Sequence, residues 1–276
     1  MVSNERASGR TLDSPSAASR ALDIAVTDVS VEFELNGRTM HALQDVTLEL
    51  AAGETLAIVG PSGCGKSTLL NLIAGFMSPT SGVVSVGGRP VTAPGPDRAV
   101  VFQSDAVFPW LTVRRNLEYG PRMRHTLDAE TRRRIDFYLD TLGLRKYENA
   151  LPKVLSGGMR KRVDVGRAYV SRPGVMLLDE PFGALDDMTK TLLQEELVRL
   201  GTIEPMTTVF ITHDIEEAIF VADRVAVMTA SPGRIQSVMT RPPGRDAADF
   251  RTTAEFQQLR RDIQHLLRAA HEEANS

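Results

Sequence analysis

The sequence predicts an α/β fold with a largely parallel sheet core, an antiparallel β portion near the N-terminus and an inserted helical subdomain. Three observations predict it. Thr55–Val59 is a short apolar run without alternation that leads straight into a glycine-rich loop, as expected of a strand buried on both faces. Strand and helix patterns alternate again from Val175 to Met228, the order that builds parallel sheets. Between these stretches, residues 111–170 are rich in Arg, Leu and helix formers and poor in strand patterning.

The elements follow in order. Ile24, Val26, Val29, Val31 and Phe33 recur at strand spacing within residues 23–35. Asn36-Gly37 is a hairpin-turn signal, and Val46–Leu50 is the return strand. After Thr55–Val59 and the glycine loop, Lys66–Ala74 reads as a helix. Strands are expected near Val83–Val86, Ala99–Phe102, Val175–Leu178, Thr208–Ile211 and Arg224–Met228, with helices over about Asp187–Leu200 and Ile215–Val221. Thr252-x-x-Glu255 has the form of a capping box, and Phe256, Leu259, Ile263, Leu266 and Leu267 then recur at helical spacing. Residues 1–21 are expected to be a disordered tail or an over-extended start, 22–240 the main domain, and 241–276 a linker with one amphipathic helix, leaving no room for a further regulatory domain.

Composition narrows the class. The chain has 276 residues, 42% hydrophobic and 24% charged, which is ordinary globular material. A net charge of −3 lacks the basic surplus of a nucleic-acid binder. A single cysteine, Cys64, excludes an internal disulfide and a four-cysteine zinc site and fits a reducing compartment. No apolar run is long enough to span a bilayer, and residues 1–20 lack the apolar core of a secretory signal. Service to a membrane would therefore run through a partner.

Two segments carry the chemistry. Gly60-Pro61-Ser62-Gly63-Cys64-Gly65-Lys66-Ser67 fits G-x-x-x-x-G-K-[ST], and Thr68 follows. Small residues let consecutive N–H groups turn inward around phosphate oxygens, and the helix beginning at Lys66 adds its positive end. Lys66 supplies a charge to the β- and γ-phosphates, and the Ser67 hydroxyl suits Mg²⁺. Val175–Leu178 delivers Asp179 and Glu180 at a strand's carboxyl edge, where open α/β sheets bind ligands. Asp179 is the expected holder of Mg²⁺, directly or through water, and Glu180 the expected base for an attacking water. An acidic strand end is common by itself; here Pro181-Phe182-Gly183-Ala184-Leu185-Asp186 follows at once.

Together with Leu155-Ser156-Gly157-Gly158 between these two segments, the chain resembles an ATP-binding cassette (ABC) transporter ATPase over roughly residues 22–240. The resemblance implies a P-loop NTPase with a RecA-like core, and ATP and Mg²⁺ as substrate and cofactor. It implies that Gln103 reaches Mg²⁺ and the water, that His213 contacts the γ-phosphate, that Phe33 stacks on adenine, and that Asp186 belongs to the loop beside the nucleotide. Bland readings stand beside these: a structural histidine after a strand, and a core phenylalanine. The resemblance also implies that Ser156, Gly157 and Gly158 complete the site across a homodimer, on the opposite subunit's ATP. The chain departs from the family at Lys161, where Gln is usual, at Asp164, where a small residue is usual, and at Gly166, where Ala is common. Lys161 and Asp164 are spaced to pair on one helix face. Gly166 is expected to weaken its helix by about 0.8–1 kcal/mol if exposed.

Phe108-Pro109-Trp110 after Gln103, Arg241-Pro-Pro-Gly-Arg245-Asp246 and the C-terminal helix resemble the nitrate/sulfonate/taurine importer subfamily. That implies integral-membrane permease subunits as direct partners, a periplasmic or lipid-anchored solute-binding protein as an indirect one, no nucleic acid, and a peripheral place on the cytoplasmic face of the inner membrane. Trp110 is expected to be partly exposed and to line the permease groove; the plain alternative is a core tryptophan. A lipid-trafficking cassette would share every ATPase motif. DNA-repair or chromosome-structure heads would be split by long heptad coiled coils, and this chain has none.

Overall fold

The computed structural model describes residues 20–35, 37–183, 185–244 and 249–274. Two sheets share the fold. A four-stranded antiparallel sheet has the order β2-β1-β4-β5, from β1 (Ile24–Leu35), β2 (Arg38–Leu50), β4 (Ser81–Val86) and β5 (Arg89–Pro90). A six-stranded sheet has the order β10-β9-β3-β8-β7-β6, from β3 (Thr55–Val59), β6 (Arg98–Val101), β7 (Val175–Asp179), β8 (Thr207–Ile211), β9 (Arg224–Met228) and β10 (Ile235–Thr240). All its pairings are parallel except that of the edge strand β10. An isolated bridge between Leu43 and Gly233 joins the two sheets.

The uninterrupted apolar runs have a simple cause. Alternate residues of each parallel strand enter opposite cores. Ala57, Val59, Met176, Leu178 and Phe210 join the helices on one face. Leu56, Ile58, Val175, Leu177 and Val209 join α1 (Lys66–Ala74) and the antiparallel sheet on the other. Between β6 and β7 lie α2 (Val113–Met123), α3 (Ala129–Thr141) and α4 (Gly157–Val170). The remaining helices are α5 (Asp187–Ile203), α6 (Ile215–Val221) and α7 (Ala254–Ala274). Phe256 and Ile263 of α7 are fully buried against the body, with Leu259 nearly so.

The insertion is tied to the end of α5 by a buried ionic network. Arg134 on α3 donates to the Tyr169 carbonyl at 2.8 Å and to both carboxylate oxygens of Glu204, which caps α5, at 2.8 and 2.9 Å. The Tyr138 hydroxyl donates to the same carboxylate. Burial and that carboxylate both push the phenol's pKa well up.

Several expectations need correction. The return strand begins at Arg38 rather than Val46, and β10 carries no strong apolar alternation in Ile235–Thr240. Thr253, not Thr252, caps α7: its hydroxyl accepts from the Phe256 N–H at 3.3 Å, while Thr252 bonds back to the Asp249 carbonyl. Asp164 pairs with Arg167 at 2.6 Å rather than with Lys161. Gly166 is buried, and a Cβ there would come within 2.8 Å of the Leu142 side chain, so its lack of a side chain serves helix packing. The expectations for residues 1–19, Asn36, Ala184, Arg245 and Asp246 fall outside the described residues.

Candidate active site

Four parallel strands end along one edge, and each passes directly to a predicted site segment. Register places Ile58 beside Ile211, Asp179 beside Ile211, and Val101 beside Leu178. The chain then continues into Gly60 after β3, Gln103 after β6, Glu180 after β7 and His213 after β8. Residues far apart in sequence thus converge at the carboxyl edge of the sheet.

The glycine loop is shaped by backbone geometry. Gly63 and Gly65 have φ of +78° and +92°, a region costly for any residue with a Cβ. At Gly65 a Cβ would also meet the Ala42 carbonyl oxygen at 2.7 Å, so β2 presses on the loop. The Lys66 ammonium donates to the carbonyls of Gly60 and Pro61 at 2.8 and 2.9 Å and lies 3.7 Å from the Cys64 sulfur. The loop is held closed around its own lysine. Cys64 is fully buried, and burial pushes its thiol pKa up despite Lys66. Pro61, Ser62 and Thr68 complete the segment, and the first N–H groups of α1 have no acceptor within the helix.

Across the gap, the Ser67 hydroxyl donates to Asp179 Oδ1 at 3.4 Å. Burial raises the Asp179 carboxyl's pKa, and the Ser67 bond opposes that. Glu180 Oε2 is shared: the Gln103 side-chain amide donates to it at 3.1 Å, and His213 Nδ1 lies 3.3 Å away. Glu180 has φ of +42°, a left-handed backbone unusual for a residue with a long side chain. It projects the carboxylate off the strand axis toward Gln103 and His213.

The His213 loop is rigid on its far side. The Thr212 hydroxyl donates to Glu217. Asp214 accepts from the Glu216 and Glu217 N–H groups, capping α6, and pairs with Lys190 of α5 at 2.8 Å. Burial alone would raise the Asp214 carboxyl, but Lys190 and the N–H bonds outweigh it and hold the pKa below 3.8. This brace was missed from the sequence, although Asp214 followed three residues on by Glu217 is a capping pattern.

Other predicted residues lie apart. Ser156 caps α4, and its hydrogen bonds stay within the first turn of that helix. Gly157 follows it, and a Cβ on Gly158 would clash with Thr189 of α5, so that helix end sits close against its neighbour. The Asp186 carboxylate caps α5 through the Thr189 N–H at 3.1 Å. Phe33 is exposed rather than core, and pairs with Met40 on the hairpin that carries Ala42. His41, His125, His265 and His271 are all exposed. Trp110 is 71% exposed, stacked obliquely on Phe108, with Tyr119 and Met123 also exposed. The core reading of Trp110 is excluded.

A glycine loop closing on lysine, a Ser–Asp pair and a half-buried glutamate facing Gln103 and His213 at one sheet edge define a nucleoside-triphosphate hydrolase. Family comparison agrees: residues 43–183 match the ABC transporter family model. The chain belongs to that family and is an ATPase subunit of it, coupled to transport. It is 45% identical over 228 residues to a putative ATP-binding protein of Brucella abortus (strain 2308), covering 82% of this chain and 87% of that one. It is 39% identical over 250 residues to the taurine import ATP-binding protein TauB of Roseobacter denitrificans, covering 88% and 93%. It is 42% identical over 219 residues to the nitrate import ATP-binding protein NrtD of Synechocystis, covering 79% and 82%. Among solved structures, the dimeric ATP-binding cassette MJ0796 bound to ADP and Pi in a post-hydrolysis state matches with a TM-score of 0.68 at 28% identity, covering 80% of this chain and 100% of that one. No described helix is long and apolar enough to cross a membrane.

Proposed function

We propose that this chain powers import of a small organic or inorganic anion, of the nitrate, sulfonate or taurine type, through closure of an ATPase homodimer against membrane permease subunits. The observation that carries the catalytic part is the convergence of Gln103 and His213 on one oxygen of Glu180, beside the Ser67–Asp179 pair. The glycine loop and Lys66 hold the triphosphate. Lys66 is already desolvated against loop carbonyls, so a γ-phosphate oxygen replaces those acceptors at small cost. Glu180 orients and deprotonates the attacking water through Oε1, Gln103 fixes the other carboxylate oxygen, Oε2, and His213 meets the terminal phosphate. The oxygen donors of Ser67, Asp179 and Gln103 suit a hard cation, and burial makes Asp179 costly to ionise unless a positive charge is near. Mg²⁺ held there would neutralise charge on the β- and γ-phosphates.

The second ATP contact comes from the Ser156–Gly158 helix end of the opposite subunit; the hydrogen bonds of Ser156 stay within its own helix. Phe33, exposed on the hairpin beside the loop, is the adenine platform, and Asp186 borders the nucleotide while capping α5. The exposed aromatic cluster around Trp110 receives the permease, at the join of insertion and core. A periplasmic or lipid-anchored solute receptor acts indirectly, and the chain works peripherally on the cytoplasmic face of the inner membrane. The relatives named for taurine and nitrate import support the importer reading.

Glu180→Gln tests the assignment. It keeps the hydrogen-bond acceptor and removes the base, so turnover should fall about 10²–10⁴-fold while ATP still binds. A sizing column with ATP and Mg²⁺ should show a trapped dimer. Hydrolysis at the wild-type rate would remove Glu180 from its role.

A further inference from the structure

Lys161 departs from the family pattern, and its surroundings give it a task. Its side chain is 2% exposed, yet its ammonium bonds no carboxylate. It donates instead to two consecutive backbone carbonyls, Phe102 at 2.7 Å and Gln103 at 3.1 Å. The same helix holds the next residues of that loop. Arg160 pairs with Asp105 at 2.6 Å and donates to the Leu155 carbonyl at 2.8 Å. Two consecutive residues near the start of α4, Arg160 and Lys161, therefore grip residues 102–105, the segment that leaves β6 and carries Gln103.

The grip lies on a continuous path. Ser156 begins α4, Lys161 sits five residues on, the Gln103 carbonyl accepts from Lys161, and the Gln103 amide donates to Glu180. We infer that Lys161 is a positioning residue that fixes the main chain of Gln103 and links the Ser156 helix end to the Glu180 carboxylate. The inference rests on the catalytic reading of Gln103 and Glu180 given above. A buried ammonium satisfied by main-chain carbonyls has little freedom to slide, because leaving either acceptor strands a charge in an apolar setting. Movement of α4 is therefore transmitted to the Gln103 backbone. When the opposite subunit's nucleotide engages Ser156, the side-chain amide that sets Glu180 responds in the same subunit.

The test uses the full-length chain and reads ATPase kcat, KM for ATP, the Mg²⁺ concentration giving half-maximal rate, and thermal unfolding. Lys161→Met removes the donors and keeps the length. It should lower kcat about tenfold, the worth of one charged hydrogen bond, raise the Mg²⁺ requirement, and leave KM for ATP within about twofold. Lys161→Gln keeps amide donors on a shorter stem and should fall between, with a loss of about two- to fivefold; it carries the test if the Met variant does not fold. In a Gln103→Ala background either change should add less than about twofold, because the lysine acts through that residue. A slow Gln103→Ala enzyme combined with full activity in Lys161→Met and Lys161→Gln would overturn the grip alone. So would losses that multiply in full on Gln103→Ala, or a lowered unfolding midpoint with unchanged kcat. Wild-type turnover in Gln103→Ala would overturn the role of Gln103 and the grip with it.

Discussion

Replacing Arg134 by Met should loosen the helical insertion from the end of α5, and the size of the effect can be worked out. The Arg134 side chain is 3% exposed and its partner Glu204 13% exposed. The change deletes two bonds to the Glu204 carboxylate and one to the Tyr169 carbonyl. Glu204 would keep the Tyr138 hydroxyl, and Arg172 at 3.8 Å. Breaking a buried pair from one side costs about 3–5 kcal/mol. The surviving partners place this case at the low end, about 3 kcal/mol, or about 6–12 °C in Tm. Urea unfolding at pH 7 measures it. Adding Glu204→Gln removes the stranded charge, so the double variant should be more stable than the sum of the singles by about 1–3 kcal/mol. Raising the salt should change little, since the pair is shielded from solvent. A cost below about 1 kcal/mol, or strict additivity, would refute the argument.

Other outcomes follow from the site. Ser156→Arg should leave ATP affinity of the isolated subunit nearly unchanged but abolish dimerisation and hydrolysis, as read by nucleotide binding and sizing; lost binding in the monomer would defeat the trans arrangement. Trp110→Ala should cost about 1 kcal/mol or less in stability, weaken assembly with permease and spare ATP binding, and wild-type Trp110 emission should be red-shifted and open to quencher. Asp214 has a depressed native pKa, so its contribution is present above the unfolded value near 4 and lost as pH falls through the native one. The Tm gap between wild type and Asp214→Asn should therefore be widest near neutrality and narrow as pH falls below the usual carboxylate range; a gap that persists in acid would mean capping, not the Lys190 pair, supplies the difference.

What was legible in the sequence was what short-range pattern encodes. Thr55–Val59 and Val175–Asp179 announced two buried strands, and each hands over to its motif within a residue. Contacts across the chain were not legible. Arg134 and Glu204 are joined only by folding, and neither stands in a periodic pattern that predicts the other. Lys161 looked like a partner for Asp164 because helix spacing considers one helix alone; the carbonyls that bind it come from another element. The cap of α7 slipped by one residue because Thr252 and Thr253 are chemically equivalent and the preceding 3₁₀ turn decides between them. β10 escaped notice since an edge strand with half-exposed positions carries little alternation.

The left-handed backbone at Glu180 has a consequence for how this sequence drifts. Asn adopts such a φ more readily than Glu, so relieving the strain would stabilise the fold by about 1 kcal/mol. On the catalytic role proposed above, a screen for thermal robustness alone would therefore tend to discard this glutamate, and the sturdier variants would be silent enzymes. On that reading, one position sets endurance against turnover, and the chain carries the less comfortable residue there.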